Sequence, residues 1–309
     1  MLRFFAKDIF GDDMELFFWE EMEFSSEEEI PADSLKVTLW GEYLQELCEV
    51  SLYENEELLF EGLVDEQTVS VSDKVQTSIV ARSFTGVLLD NEAYPKTYIK
   101  PDTKLIFSRY LEPYGIKSFV GENKIFPGEF KVEKGISCFA AAVKFAKEVY
   151  GCMPRIKGKV IFFEKDKAPG KLVFSNTDGL TYKKLSYTRN RYRLISSVRA
   201  KVKNGGDYSV VVRNPKATHK GIKREKYLNA IPRGRAGLNS ADNYISEADS
   251  KYEVLTLITN ERCLGVVGFD ASIASECKSL LDGFYISAVR YIFDSNKEET
   301  KLTLRRRQA

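Results

Sequence analysis

The chain of 309 residues is predicted to be mainly β, with two related β-barrel domains and a small α/β insertion between them. Short segments of alternating polarity, separated by turn residues, fill the first hundred residues and return after residue 165. Helix signals concentrate between these two regions, and two hairpins share a sequence pattern. We therefore expect a first, acidic barrel over residues 1–100, an insertion over 101–165, and a second barrel over 166–309.

The strands of the first domain are predicted from aromatic, β-branched and alternating residues that lie between turns. They cover residues 2–9, 14–24, 35–40, 49–53, 58–71 and 75–89. Residues 53–58 and 70–74 have the composition of hairpin turns, so consecutive strands should pair antiparallel.

Two helices and several short strands are predicted in the insertion. Residues 101–103 start the first helix, which Pro113 and Gly115 end. Ser137 caps the second, which runs from residue 138 to 150 with an apolar face. Residues 125–132 should be extended, and residues 155–163 should form two short strands around a Lys-Gly-Lys turn.

The second domain returns to strands, with a long basic insertion. The strands are predicted at residues 172–175, 182–187, 194–203, 208–213, 253–259, 265–272, 283–293 and 301–306. The sequence Asn-Gly-Gly-Asp at residues 204–207 is the strongest hairpin turn in the chain. Prolines and glycines around residues 214–250 predict an irregular segment that ends in a short helix over 240–249. We interpret the three arginines at 305–307 as a solubilising tail.

The two β regions share a hairpin pattern. One hairpin opens near Gly62 and returns from Thr77 to Arg82 as TSIVAR, and the other opens near Gly283 and returns from Thr300 to Arg305 as TKLTLR. Both return strands carry threonine, then Ile or Leu, then Ala or Leu, then arginine, at the same spacing. This shared pattern of the two echoed hairpins predicts a duplicated barrel, although hairpins of this form also recur by chance.

Charge is strongly segregated, although the net charge is only +1. Residues 1–66 contain 20 Asp and Glu against three Lys and Arg, a local net charge of −17, and residues 155–235 contain 22 Lys and Arg against five Asp and Glu, a local net charge of +17. Two functional interpretations follow: the basic segment binds nucleic acid or another polyanion, or the two segments face each other within a chain or between copies. The second is better supported, because an equally acidic half would repel phosphate.

The composition, 43% hydrophobic and 29% charged, is that of a folded protein, and it offers little for catalysis. The five cysteines contain no C-x-x-C pair, and any His-dependent site would need the single histidine, His219. Catalysis by a pair of Asp or Glu side chains stays possible, but no such pair stands out in the sequence. We expect no enzyme, no catalytic residues, no cofactor and no metal site. Apolar runs are short and the first residues lack the core of a signal peptide, so we expect cytoplasmic synthesis and no membrane partner.

Four sequence segments, in this order along the chain, indicate a resemblance to a known family. They are LFEGLVDEQ at residues 59–67, ARSFTGVLLDNEA at 81–93, GFYISAVRY at 283–291 and KLTLR at 301–305. The chain thereby resembles the baseplate hub proteins of contractile phage tails, the late control gene D or T-even hub family. The resemblance is closest to hubs of prophage-derived tail-like particles and R-type bacteriocins.

The resemblance implies a structural baseplate hub. Three copies would form a ring of six similar barrels, which adapts the sixfold tail tube to the threefold central spike. The implied partners are further copies of the chain, the tail tube protein, the spike, and baseplate wedge or tape-measure-associated proteins, with DNA passing through the lumen without specific binding. Such a hub assembles in the bacterial cytoplasm and leaves in a released particle. We expect the acidic first barrel to lie against the basic second barrel of the same or a neighbouring subunit.

Five basic residues are the candidate contacts for a partner or polyanion: Lys220, Lys223, Arg224, Arg233 and Arg235. A solvated loop is the plainer interpretation of their segment. Two other functions stay open, a nucleic-acid-binding protein that uses residues 155–235 and a cell-wall hydrolase of the tail tip.

Overall fold

The computed structural model of the protein describes residues 1–17, 19–41, 44–164, 170–202, 205–231, 235–274, 281 and 283–306, with residues 230–231 and 235–240 described by backbone alone. The chain forms two compact units. The first unit consists of Met1–Pro169, Arg262–Val267 and Ala288–Thr300, and the second of Gly170–Glu261, Gly268–Ser287 and Lys301–Ala309. The prediction of a mainly β fold with a small α/β insertion is confirmed, whereas the predicted division at residues 100 and 165 stays a prediction.

The first unit begins with an antiparallel sheet. Its strands are β1 (Leu2–Asp8), β2 (Asp13–Leu16), β3 (Trp19–Glu27), β4 (Ile30–Trp40), β5 (Leu47–Glu54), β6 (Glu57–Val71) and β7 (Val75–Ser83). The strand order is β3-β4-β7-β6-β5-β1-β2. Alternate residues such as Phe4, Phe24, Leu52 and Phe60 are buried, which is the period-2 pattern that the sequence shows.

Both predicted hairpin turns of this sheet are present. β5 and β6 pair up to Glu54 and Glu57. Asn55 and Glu56, which join them, have positive φ angles of 49° and 71°. This backbone is typical of a two-residue hairpin turn that follows the twist of the strands. β6 and β7 likewise pair up to Val71 and Val75.

The α/β insertion packs around its own aromatic core. Its elements are α1 (Thr85–Asp90), β8 (Lys96–Ile99), α2 (Thr103–Tyr110), β9 (Ser118–Val120), β10 (Glu129–Val132), α3 (Cys138–Val149), β11 (Arg155–Lys157) and β12 (Val160–Phe162). Phe145 of α3 lies in the centre, with ring centroids 5.8 Å from Phe130 and 6.5 Å from Phe163. Asp102 and Ser137 accept hydrogen bonds from the first turns of α2 and α3, so both predicted helix starts are confirmed.

The second unit combines two groups of strands. Its elements are β13 (Lys171–Phe174), β14 (Lys184–Arg189), β15 (Ser197–Val202), β16 (Val210–Arg213), α4 (Pro215–His219), β17 (Glu225–Ile231), α5 (Arg235–Ser250), β18 (Glu253–Thr259) and β19 (Asp270–Ile273). β20 (Phe284–Asp294) and β21 (Lys297–Arg306) run through both units. In the second unit β14, β18, β21 and β20 lie side by side, with β19 on β20 and β13 on β19. A separate sheet has the order β16-β15-β17.

Four sequence predictions are wrong in detail. The predicted strand 75–89 ends at Ser83 and continues as helix α1, because its apolar triplet 87–89 suits a buried helix as well as a strand. The predicted strand 14–24 is two strands, β2 and β3. The segment predicted as irregular before residue 240 contains α4, β17 and the start of α5, whereas the helix predicted over 240–249 is confirmed as part of α5. The strand predicted at 265–272 is β19 alone.

The carboxyl-terminal arginines are also not a simple tail. Arg306 belongs to β21, pairs with Glu253, and lies 4.6 Å from the centre of the Phe284 ring. Arg307 lies outside the described residues.

The two echoed hairpins share a burial pattern. Thr77, Ile79 and Ala81 of β7 are buried, and so are Thr300, Leu302 and Leu304 of β21. The arginine that ends each motif is half-buried. The repeated sequence therefore has the same burial pattern in both strands, and the duplication of a whole barrel stays a prediction.

Candidate assembly surface

The acidic amino-terminal segment carries ion pairs to the insertion within the first unit. The Lys159 ammonium lies 2.7 Å from Glu49 and 3.3 Å from Glu61, and its side chain is only 17% exposed. Burial opposes the charge, but the hydrogen bond to Glu49 and the charges of both carboxylates raise the pKa of Lys159 above its ordinary value. Lys157, two residues earlier, pairs with Glu57 at 2.8 Å in an exposed position.

Arginines from the carboxyl-terminal part of the chain make further pairs in this unit. Arg262 lies 3.5 Å from Glu54, and Arg290 lies 2.8 Å from Glu23. Thus acidic residues of segment 1–66 and basic residues from distant parts of the sequence do meet within one chain. The pairs from the basic segment 155–235 come from the β11–β12 hairpin of the insertion.

The small sheet of the second unit has one covered face and one open face. Val198 is buried in a cluster with Ala241 and Ile245 of α5, and Val212 and Leu228 pack on the same cluster. The alternating residues of these strands lie on the opposite face. On that open face Val211 is 40% exposed and Tyr227 is 56% exposed.

The strand register defines which residues share the open face. Arg213 and Glu225 flank Ser197 in one row, because both are its pairing partners. Val211 and Tyr227 flank Arg199 in the next row. The open face therefore combines cationic, aromatic and apolar side chains.

Among the described residues of this open face Glu225 is the carboxylate, and it is held by three neighbours. Tyr227 Oη donates to it at 2.8 Å and Ser197 Oγ at 2.9 Å. Arg199 Nε lies 3.0 Å from it. The hydrogen bonds from Tyr227, Arg199 and Ser197 lower the pKa of Glu225. Glu225 and Arg199 therefore largely neutralise each other.

A cleft of about 410 Å³ lies beside this face. The cleft is lined by four cationic side chains, one carboxylate, three hydroxyl side chains and two aliphatic ones: Arg199, Arg213, Lys223, Arg224, Glu225, Ser196, Ser197, Thr218, Val211 and Ile222. Such a volume is within the range that accommodates a protein side chain or a small ligand. The cleft favours an anionic partner with an apolar part.

The five candidate residues have different environments. Lys223 and Arg224 line the cleft, whereas Lys220 lies on the end of α4 with its amine 5.2 Å from the Tyr252 ring centre. Arg233 lies outside the described residues, and only the backbone of Arg235 is described. Their role as contacts stays a prediction.

Arg224 is engaged by its own chain. Its guanidinium donates to the main-chain carbonyls of Tyr192 and Leu194, the latter at 2.9 Å, and stacks 4.6 Å from the Tyr192 ring centre. This side chain positions the segment before β15. Lys223 is exposed and makes no ion pair with any residue that the structure describes.

Two arginines of the cleft, Arg199 and Arg213, were absent from the sequence-based candidates. The predicted turn at 204–207 would pair residue 199 with residue 212 and put Arg213 on the opposite face, so only the observed register, which pairs Ser197 with Arg213, shows that both arginines share a face.

The described residues contain no group of three or more His, Cys, Asp or Glu side chains that could hold a metal ion. His219 is exposed on α4. None of the described helices is long and apolar enough to cross a membrane.

Comparison with solved structures shows a shared fold over the whole chain. A tail protein from Neisseria meningitidis MC58 has a TM-score of 0.79 at 16% identity, covering 98% of this chain and 96% of that one. The 43 kDa tail protein of prophage MuSo2 from Shewanella oneidensis has a TM-score of 0.78 at 13% identity, covering 99% and 98%.

More distant structures extend the same likeness. Prophage tail protein gp18 of Listeria monocytogenes matches with a TM-score of 0.63 at 14% identity, covering 99% of this chain and 94% of that one. The E. coli protein c3393, described as a type VI secretion component similar to T4 tail proteins gp27 and gp5, matches at 0.57 with 8% identity, covering 94% and 74%. No protein-family model matches the sequence. No curated protein matches it either. The chain thus has the fold of these tail proteins.

Proposed function

We propose that the protein is a non-enzymatic, structural subunit of a contractile phage tail or of a tail-like particle, and that it forms the baseplate hub. The observation that carries the proposal is the likeness to two tail proteins, one of them from a prophage, along nearly the full length of both chains. Because one fold can host several functions, the likeness supports a structural role in a tail, and the repeated hairpins and the segregated charge support the hub in particular.

The proposed assembly is a homotrimer with approximate sixfold symmetry. The hairpins β6–β7 and β20–β21 share a motif and a burial pattern, which supports two related modules in each chain. Three copies would then present six similar modules to a sixfold tail tube and keep threefold symmetry for a central spike. The remaining elements, including the insertion, would contact wedge or tape-measure-associated proteins.

The segregated charge would determine which face of one subunit meets which face of the next. A closed ring of identical chains needs one face of a subunit to meet a different face of the next. Opposite charges favour that contact and disfavour contact between like faces. Exposed charges are screened beyond about 8 Å at physiological ionic strength, so they select the partner more than they add affinity.

The mass of the purified protein in solution tests this proposal. Multi-angle light scattering of the full chain, alone and with the spike protein from the same particle, should give a species of three times the 35.2 kDa chain mass in at least one of the two samples. A stable dimer or tetramer, or a monomer in both samples, would contradict the trimeric hub.

The open face of the small sheet favours a second candidate function, nucleic-acid binding. Arg213 and Lys223 supply exposed positive charge and Tyr227 an exposed ring, a combination that single-stranded nucleic acids bind. If the face binds nucleic acid, the protein binds an oligonucleotide, and its affinity decreases steeply as the salt concentration rises. Glu225 on the outer strand β17 opposes it, because its carboxylate already engages Arg199, which is then not available to phosphate.

A further inference from the structure

Four cationic side chains line the cleft beside the open face of the β16-β15-β17 sheet, and two of them are not engaged by their own chain. Arg199 is compensated by Glu225 at 3.0 Å, and Arg224 is held by main-chain carbonyls and Tyr192. Arg213 and Lys223 are exposed and make no ion pair within the described part of the chain. These two side chains are therefore the ones able to receive an anionic partner.

The face also has exposed apolar surface beside those two cations. Val211 and Ile222 line the same cleft, and Val211 is 40% exposed, whereas Val212 on the other face of the strand packs against the cluster beneath α5. A cleft lined by both aliphatic and cationic side chains fits an aliphatic side chain flanked by carboxylates. It fits a polynucleotide poorly, because Glu225 and Val211 interrupt the path of positive charge.

The chain itself carries a segment of that chemistry at the tip of the β3–β4 hairpin. β3 and β4 pair up to Glu27 and Ile30, so residues 28 and 29 form the turn. Glu28 and Glu29 are exposed, and Ile30 next to them is 55% exposed. An exposed isoleucine beside two glutamates is complementary to the cleft in both polarity and charge.

We propose that the open face of β16-β15-β17 receives the β3–β4 hairpin tip of a second copy of this chain. Ile30 of one copy lies on Val211 and Ile222 of the other. Glu28 and Glu29 pair with Arg213 and Lys223. The contact joins two different surfaces, so repetition generates a ring or a filament rather than a closed dimer. This inference rests on the proposed function, since a closed hub needs a contact of this kind.

Charge reversal tests the contact in the full chain. The double variant Arg213→Glu/Lys223→Glu and the double variant Glu28→Lys/Glu29→Lys should each weaken self-association by about tenfold or more in sedimentation velocity, because close charge pairs across interfaces couple by more than about 1.5 kcal/mol. The quadruple variant, in which both surfaces are reversed, should recover association. Equal association in all variants would overturn the proposal while leaving a trimeric hub possible.

Cysteine cross-linking supplies an independent measurement that also detects weak contacts. A mixture of the Ile30→Cys and Val211→Cys variants, treated with a short bifunctional maleimide, should give a covalent species of two chains above the level of each variant alone. Val71→Cys mixed with Val211→Cys is the matched control, because Val71 is an exposed apolar residue at the tip of another hairpin. The wild-type chain gives the background from the native cysteines.

The outcomes separate this inference from the proposed function. A trimer that gives no cross-link between positions 30 and 211 would overturn the docking site alone. Salt-sensitive binding of a single-stranded oligonucleotide that the Arg213→Glu/Lys223→Glu variant loses, with no cross-link, would assign the face to nucleic acid instead. Absence of both the trimer and the cross-link would overturn both proposals.

Discussion

Replacement of Lys159 by methionine should destabilise the first unit much more than the same replacement of Lys157. Both lysines lie on the β11–β12 hairpin, and both pair with glutamates of the acidic segment. Lys159 is 17% exposed and bridges two carboxylates, whereas Lys157 is 53% exposed and contacts one. Methionine keeps most of the aliphatic length, so the comparison isolates the charge.

The expected magnitudes follow from burial. A hydrogen bond to a charged group contributes about 1.5–3 kcal/mol, and its loss leaves two partly buried carboxylates without their cation. We therefore expect Lys159→Met to cost about 2 kcal/mol. An exposed ion pair contributes about 0–1 kcal/mol, so Lys157→Met should cost less than about 0.5 kcal/mol.

Tryptophan fluorescence during urea unfolding measures this difference. The chain has two tryptophans, Trp19 and Trp40, which both lie in the first unit, so their signal reports the unit that contains Lys159. With a slope of about 2 kcal/mol per molar urea, Lys159→Met should lower the midpoint by about 1 M at an unchanged slope.

The sign of the pH effect is fixed by the raised pKa of Lys159. Its stabilisation is fully present below the ordinary lysine pKa of about 10.4 and is lost only as pH rises through the folded value. The difference between wild type and variant should thus stay constant from pH 7 to 9. Equal midpoint shifts for Lys157→Met and Lys159→Met, or a Lys159 effect abolished by moderate salt, would refute the reasoning.

Three further substitutions test other features of the two units. Gly62→Ala should destabilise the first unit by about 3 kcal/mol in the same urea assay, because the new Cβ would lie 2.1 Å from the main-chain oxygen of Arg82. Gly206→Ala in the second unit, with no atom within 4 Å of the new Cβ, should change stability by less than about 1 kcal/mol in urea unfolding followed by circular dichroism, since the tryptophans report only the first unit. Burial opposes the charge of Glu253, yet hydrogen bonds from a tyrosine and an arginine lower its pKa, so Glu253→Gln should cost about 1–3 kcal/mol at pH 7 in thermal melts followed by circular dichroism, and the cost should shrink as pH falls below about 4. Burial raises the pKa of Asp33, so Asp33→Asn should raise the urea midpoint at pH 7, and that gain should disappear in acid, where the native carboxyl is protonated.

Local patterns predicted most of the fold because the deciding interactions are local. Asp102 and Ser137 mark helix starts through hydrogen bonds within their own first turns. The turn at Asn55 and Glu56 is fixed by the strands that flank it. Gly62, part of a phrase that carries the family resemblance, is required where β6 approaches β7 closely.

The basic segment was misinterpreted because its structure depends on distant partners. β17 pairs parallel with β15, some 28 residues earlier, and a parallel pairing of this kind leaves no turn signal. Pro215 was taken as a breaker, but it occupies the first turn of α4 after the cap Asn214, where proline is favoured. An account of local propensity alone predicts a loop there.

For the candidate contact residues, too, the sequence predicted the charge but not the contacts that depend on distant parts of the chain. Lys223 could be identified from charge, but charge alone does not separate it from Arg224, whose guanidinium is used by main-chain carbonyls of another segment. Arg199 and Arg213 become part of the cleft only when the register of β15 and β16 is known. The composition of this surface was therefore predictable, and its geometry was not.

An electron cryomicroscopy reconstruction of the intact tail-like particle tests the central proposal most directly. We predict three copies of this chain in a ring at the junction of the tail tube and the central spike, with both echoed hairpins in equivalent positions around the tube axis. Density at that junction that belongs to another polypeptide, or a particle that carries this chain elsewhere, would contradict the account.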